Sequence, residues 1–190
     1  MRVSMTVLDH AIIFATRQHS GTTRKGTSVP YIMHPMEAAA IVCTMTDDEE
    51  VIATAVLHDV LEDTDATEEK LLAHFGRRIT ELVLGESEDK RRNLPPALTW
   101  KTRKRETITF LETEASTEAK MLALADKLSN LRAIYRDVNV IGDAVWERFN
   151  EKDKKMHGWM YRSVAEALRD LQEYSAWQEY DRLVKAVFES

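Results

Sequence analysis

Residues 55–64 read Ala55-Val56-Leu57-His58-Asp59-Val60-Leu61-Glu62-Asp63-Thr64. Upstream, Val51, Ile52, Ala55 and Val56 form the apolar stripe of a helix, with Asp47 to Glu50 at its favourable N-terminal end. If that helix continues through His58, residues four apart share a face, so Glu62 stands over His58 and Asp63 over Asp59. Adjacent His58 and Asp59 diverge by about 100°, and both reach one ion only if a second ligand-bearing element approaches. Carboxylates at the far end of a helix gain nothing from its dipole, which sets this cluster apart from a uniformly solvated face. An ion held here would acidify a water, and the carboxylates one turn on would orient it and move its protons.

Further ligands are available elsewhere in the chain. His34 precedes Pro35, a residue suited to the first turn of a helix. Asp126 lies in the apolar-periodic run Leu122-Ala123-Leu124-Ala125-Asp126-Lys127-Leu128-Ser129-Asn130-Leu131-Arg132, with Asn130 one turn beyond it. Together His34, His58, Asp59 and Asp126 make a set of two histidines and two carboxylates. Mixed nitrogen and oxygen ligands with room for water favour Mn²⁺, Fe²⁺ or a similar divalent ion over a closed zinc site.

Four segments taken in order, Arg24-Lys25-Gly26-Thr27, Pro30-Tyr31-Ile32-Met33-His34-Pro35, Leu57 to Thr64 and Ala125 to Arg132, resemble the HD-domain hydrolases of the RelA/SpoT type. Within that group the chain is similar to the stand-alone small alarmone hydrolases, over about residues 10 to 165. The resemblance implies an all-α, single HD-domain helical bundle and a Mn²⁺-dependent site. It also implies removal of the 3′-pyrophosphate from guanosine tetra- or pentaphosphate. Carried over by motif, His34, His58, Asp59 and Asp126 would be the metal ligands and Glu62 and Asp63 the pair that assists the water.

A chain of 190 residues with 44% hydrophobic content, 6 Gly and 4 Pro suits one helical domain, expected over 1–190. Met1 to Met5 lead into polar helical sequence with no apolar signal region, and no apolar run approaches the ~20 residues needed to span a bilayer. A cytoplasmic protein without a membrane partner is the expectation. The single cysteine, Cys43, follows the apolar run Ala38 to Val42 and reads as a buried reduced thiol. Helices are expected from a Thr6/Asp9 capping pair to about His19, from Pro35 to Met45, from Asp47 or Asp48 through His58, and from Thr67 to Gly76. Others follow over about 77–84, 98–112, 117–135, 143–149, 151–174 and 176–188, with 85–96 as a loop.

The net charge of −6 excludes a general nucleic-acid binder, which shows a basic balance or face. One stretch runs against it: Lys90, Arg91, Arg92, Lys101, Arg103, Lys104 and Arg105, with Arg24 and Lys25 as a second basic spot. Most of these read as solvated, but Arg24, Lys25 and Lys104 read as phosphate contacts, because a multiply charged nucleotide entering an acidic site needs counter-charge. The family resemblance of Glu88-Asp89-Lys90 and Trp100 to Lys104 points the same way. Asn130 is placed to bond ribose or base, and Arg132 to meet a phosphate or stack on a ring. In the C-terminal segment Tyr161 is the preferred nucleotide contact and Arg162 the second, while Trp146, Phe149 and Trp159 read as core. His10, His19, His74 and His157 read as surface or cap residues.

The chain is therefore expected to be a metal-dependent phosphohydrolase acting on guanosine tetra- or pentaphosphate. The alternatives are an HD-domain hydrolase of another nucleotide, such as a nucleoside monophosphate or another 2′- or 3′-phosphorylated nucleotide, and a module that binds alarmone without turnover.

Overall fold

Thr6 and Asp9 cap each other's backbone N–H groups at 3.3 and 2.9 Å, and the first helix starts at that capping box. The computed structural model describes residues 4–91 and 93–189. In chain order the elements are α1 (Val7–Gln18), α2 (Met33–Val42), α3 (Glu49–Leu57), α4 (Val60–Asp63), α5 (Glu68–Glu86), α6 (Pro96–Thr113), α7 (Thr117–Ile141), a 3-10 turn (Gly142–Arg148), α8 (Lys154–Ala167), a second 3-10 turn (Arg169–Leu171) and α9 (Ser175–Phe188). Among the described residues the only β-type pairing is the isolated bridge between Thr23 and Pro30. The fold is all-α.

α3 lies at the centre. Its sequence Val51-Ile52-Ala53-Thr54-Ala55-Val56-Leu57 has no charged face, and every one of these side chains is buried, as expected of a helix apolar all round. It packs on α1, α2, α5 and α7. The long α7 runs beside it and carries Leu122, Leu124, Ala125, Leu128 and Leu131 into the same core, while α9 covers its other side. Arg78 of α5 ties these layers at the edge: it pairs with Asp48, Glu50 and Glu118, and Asp48 also caps α3 through the Glu50 N–H at 3.0 Å.

Several boundaries differ from the expectation for identifiable reasons. α2 begins at Met33, two residues before Pro35, because the missing N–H of a proline costs nothing anywhere in a first turn. The helix from Thr67 does not end at Gly76; that glycine adopts φ 76° as a kink, and the chain resumes helical geometry to Glu86. α7 extends six residues past Tyr135, and the expected helix 151–174 shortens to α8 plus a 3-10 turn.

Cys43 is exposed, not buried. Ala38, Ala39, Ile41 and Val42 fill the core face of α2, whereas Cys43 follows Ala40 by three residues and shares its outward side. His157 departs from the surface-or-cap reading, since it is buried within α8, whereas His19, also buried, is the C-cap of α1. His157 sits among Trp100, Trp146 and Phe149 with Nε2 3.0 Å from the Glu151 carbonyl. Among the described residues no helix is long and apolar enough to cross a membrane. Arg92 and residues Met1 to Val3, which entered the charge and N-terminal readings, lie outside the described residues.

Candidate metal centre and the adjoining cavity

The helix carrying the His-Asp pair does not run on as one piece. α3 stops at Leu57, and α4 begins at Val60 with Asp59 at its cap. The His58 ring accounts for the break: Nδ1 lies 2.8 Å from the Ala55 carbonyl, an acceptor that another turn of helix would have used. The intended pairing of Asp63 with Asp59 survives, because the Asp63 N–H still bonds the Asp59 carbonyl at 3.0 Å.

That break turns His58 and Asp59 toward His34 of α2 and Asp126 of α7. His34 Nε2 is 3.4 Å from Asp59 Oδ2 and 3.1 Å from Asp126 Oδ1, and His58 Nε2 is 3.1 and 3.7 Å from the same two oxygens. Donor atoms of His34, His58 and Asp126 all lie within 4.8 Å of one another. Separations of about 3 Å are those of neighbouring donors on one small divalent ion. The telling atom is His58 Nε2, which is buried and makes no hydrogen bond of good geometry although Asp59 Oδ2 stands 3.1 Å away. A buried donor or acceptor is rarely left unmatched, and a cation would match this one.

The charges fit a cation as well. Burial opposes ionisation of Asp59, but the imidazoles of His58 and His34 outweigh it and hold the carboxyl well below the usual range. At Asp126 burial is outweighed by Lys127 and then by the two imidazoles. At His58 burial opposes a proton, yet Asp59 and Asp126 pull the ring well above its ordinary value. A proton and a divalent ion compete for the same two-carboxylate well.

Around this cluster stand the two candidate catalytic carboxylates. Glu62 accepts the Glu88 N–H at 2.6 Å and faces Lys90 Nζ at 3.1 Å; burial pushes its carboxyl up, against the pull of the Glu88 N–H and Lys90. Asp63 accepts from Lys90 at 2.5 Å and from the Tyr31 hydroxyl at 3.0 Å. Lys90 thus pairs with both carboxylates. Glu86 lines the same cavity, and burial pushes its carboxyl up to about 8. Nothing in its sequence context had singled it out.

Two cavities meet here. One, of about 480 Å³, holds His34, His58, Asp59, Glu62 and Asp126. The other, of about 570 Å³, is walled by Trp100, Phe149, Met160 and Tyr161 on its apolar side and by Arg24, Lys25 and Arg148 on its cationic side. Tyr31, Asp63, Arg103, Lys104, Lys127 and Asn130 line both.

Of the expected substrate contacts, Arg24 lies on this wall with Nη2 3.0 Å from Asn130 Oδ1, while Asn130 Nδ2 bonds Asp126 at 2.6 Å. Lys25 is exposed at the rim, on a turn closed by the Thr27 N–H to the Arg24 carbonyl. Gly26 makes that turn with φ 71°, and a Cβ there would meet Arg148 Cδ at 2.6 Å. Lys104 lines both cavities but is held by Glu88 at 2.6 Å, in a buried group that also includes Arg103. The cations draw the Glu88 carboxyl down to about 2 against its burial. Tyr161 is buried on the cavity wall and stacked on Phe188.

Arg132 is not where the sequence reading put it. It lines neither cavity, and its guanidinium is taken by Glu179 of α9 at 2.6 Å and Glu37 of α2 at 3.2 Å. A residue two positions after Asn130 leaves the shared face of a helix, so only Asn130 follows Asp126 into the site. Arg162 is exposed and also off the cavity wall. Trp146 is core, while Trp159 and Phe149 are half-buried and Phe149 lines the cavity.

A family model described as HD domain matches residues 11–152. The chain belongs to the HD-domain family. Its relatives include a Danio rerio protein named guanosine-3′,5′-bis(diphosphate) 3′-pyrophosphohydrolase MESH1, 38% identical over 136 residues that cover 70% of this chain and 72% of that protein. A Brucella ovis GTP pyrophosphokinase rsh is 35% identical over 134 residues, and there this HD-domain chain spans only 17% of the relative's length. Among solved structures, one described as a metazoan ortholog of SpoT that hydrolyzes ppGpp superposes with a TM-score of 0.76 at 25% identity, covering 98% of each chain. A Listeria monocytogenes EGD-e structure matches with a TM-score of 0.72 at 30% identity, over 83% of this chain and 99% of that one.

Proposed function

We propose that this HD-domain chain is a metal-dependent nucleotide hydrolase that removes the 3′-pyrophosphate of guanosine tetra- or pentaphosphate, with Mn²⁺ as the working ion. The observation that carries the reading is the junction of two cavities: a two-His, two-Asp cluster with an orphaned His58 Nε2 opens on a cationic and aromatic cavity of nucleotide size. The named activities of the Danio rerio relative and of the metazoan structure support the same substrate class.

His34, His58, Asp59 and Asp126 would hold the ion. Bound there, it supplies Lewis acidity toward a water and a phosphoryl oxygen. Glu62, whose carboxyl is raised by burial, accepts the proton of the attacking water, and Asp63 with Tyr31 orients that water. Lys25 and Arg24 meet the substrate's phosphates from the rim. Lys104 and Arg103 bring further positive charge to the junction, with Glu88 as their counter-ion. Tyr161, Trp100 and Phe149 wall the space for the nucleoside, and Asn130 positions Arg24 beside it.

A nucleotide panel assayed with Mn²⁺ tests the reading. Guanosine tetraphosphate is expected to be turned over in preference to nucleoside monophosphates. Preference for a monophosphate would replace this function with that of another nucleotide hydrolase, and tight alarmone binding without turnover under any divalent metal would make the chain a sensor.

A further inference from the structure

Arg132 is the outer end of a chain of contacts that finishes on a metal-ligand candidate. From α7 it donates Nε and Nη2 to Glu179 of α9 at 2.8 and 2.6 Å, and Nη1 to Glu37 Oε1 at 3.2 Å. The other oxygen of Glu37, Oε2, is 2.7 Å from Ser129 Oγ. Ser129, fully buried, lies 2.8 Å from His34 Nδ1.

The donor inventory fixes the direction of each bond. A carboxylate only accepts, and a serine hydroxyl has a single proton to give. Glu37 takes the Arg132 N–H on one oxygen and the Ser129 hydroxyl on the other, so Ser129 spends its proton on Glu37 and must accept from His34. His34 is then protonated on Nδ1, which leaves the Nε2 lone pair facing Asp59 and Asp126. At His58 the same tautomer follows from the Ala55 carbonyl, a backbone acceptor. Only at His34 is the tautomer set by side chains.

We propose that Arg132, Glu37 and Ser129 form a positioning relay, anchored to α9 by Glu179, that fixes the tautomer of His34 and keeps its Nε2 available to the cation. The inference rests on the metal-site reading but not on the identity of the nucleotide. Partners of this kind behind a metal-bound histidine are typically worth 10- to 100-fold in metal affinity.

Glu37→Gln gives the sharpest test, because it should reverse the relay rather than weaken it. Arg132 can only donate, so it draws the amide oxygen of the new side chain and leaves the NH₂ group facing Ser129. Ser129 then accepts from the amide and donates to His34 Nδ1, which drives the ring proton to Nε2, where the cation belongs. Calorimetric titration with Mn²⁺ should show Glu37→Gln losing at least about 10-fold in affinity. Ser129→Ala should lose less, although Ser129 is the residue that touches His34. Adding Arg132→Met to Glu37→Gln frees the amide to turn and should recover part of the loss, a rescue that a merely structural role for Arg132 would not give. In the wild type loaded with diamagnetic Zn²⁺, His34 Nδ1–H should appear as a slowly exchanging downfield proton coupled to its ¹⁵N, a readout that survives even if a variant misfolds. Wild-type Mn²⁺ affinity in Glu37→Gln, or a His34 ring without Nδ1–H, overturns the relay alone. A wild type that binds neither Mn²⁺ nor Zn²⁺ overturns the metal site beneath it.

Discussion

The hydroxyl of Tyr31 stands 2.6 Å from Oδ2 of Asp59, and the same oxygen is 3.0 Å from Oδ2 of Asp63. One phenol thus spans from a candidate metal ligand to a candidate catalytic carboxylate. Burial and both carboxylates push its ionisation far up, so Tyr31 remains a donor throughout the working pH range. Tyr31→Phe is expected to lower turnover by roughly 10- to 100-fold, the worth of a hydrogen bond to a charged group, with Mn²⁺ still bound. Unchanged turnover would remove the phenol from the site's working parts.

Glu62→Gln keeps the side chain's shape and removes its basicity. Turnover should fall by about 10²- to 10⁴-fold with metal and nucleotide binding retained. Because burial raises the Glu62 carboxyl, a base at this position loses activity as pH falls through a value above the ordinary glutamate range. The acid limb of the wild-type kcat profile should lie there, and its absence from that region would assign the proton to another group.

Glu88 carries the clearest link between pH and stability. Its carboxyl is drawn from an ordinary 4.5 to about 2, so it binds a proton less readily folded than unfolded. The stabilisation is fully present above about pH 4.5 and is lost as pH falls toward 2, on the order of 3 kcal/mol in all. Glu88→Gln should destabilise the protein at pH 7 by roughly that amount, and the gap from wild type should narrow below pH 4.5 in chemical denaturation. Parallel curves at all pH values would contradict the assignment.

The two lysines should separate by substrate. Lys25 is exposed at the cavity rim, whereas Lys104 is locked to Glu88 between the cavities. Lys25→Ala is expected to raise KM for guanosine tetraphosphate by about 10-fold, the scale of one charge-assisted contact, and to leave a small generic phosphoester unaffected. Lys104→Met should impair both substrates, since it also strips Glu88 of a partner. Equal losses from Lys25→Ala on the two substrates would withdraw Lys25 as a phosphate contact.

The helical class, the caps at Thr6, Asp48 and Thr67, and the convergence of His34, His58, Asp59 and Asp126 were legible because each depends on local spacing or on a motif that names its residues. The break after Leu57 was not, since it comes from a side chain competing for the Ala55 carbonyl. The pairings of Lys90 and Arg132 were not legible because the partner of Lys90 lies 27 residues away and those of Arg132 lie 95 and 47 residues away, and charge alone does not say whether a cation faces a ligand or a carboxylate; Glu86 was missed because only its burial in the fold distinguishes it. Arg148 escaped notice although the glycine of Arg24-Lys25-Gly26-Thr27 marks where it packs. Ser129 and Glu37 are ordinary helix residues in sequence, and only the folded contact with His34 gives them a role.

The most direct measurement is identification of the products from guanosine tetraphosphate, with Mn²⁺ present and after chelation, for the wild type and His58→Ala. Guanosine 5′-diphosphate and intact pyrophosphate are expected in the presence of Mn²⁺, with no turnover after chelation and a loss of at least about 10³-fold in His58→Ala. Release of single orthophosphates, or full activity in the chelated protein, would contradict the proposed function.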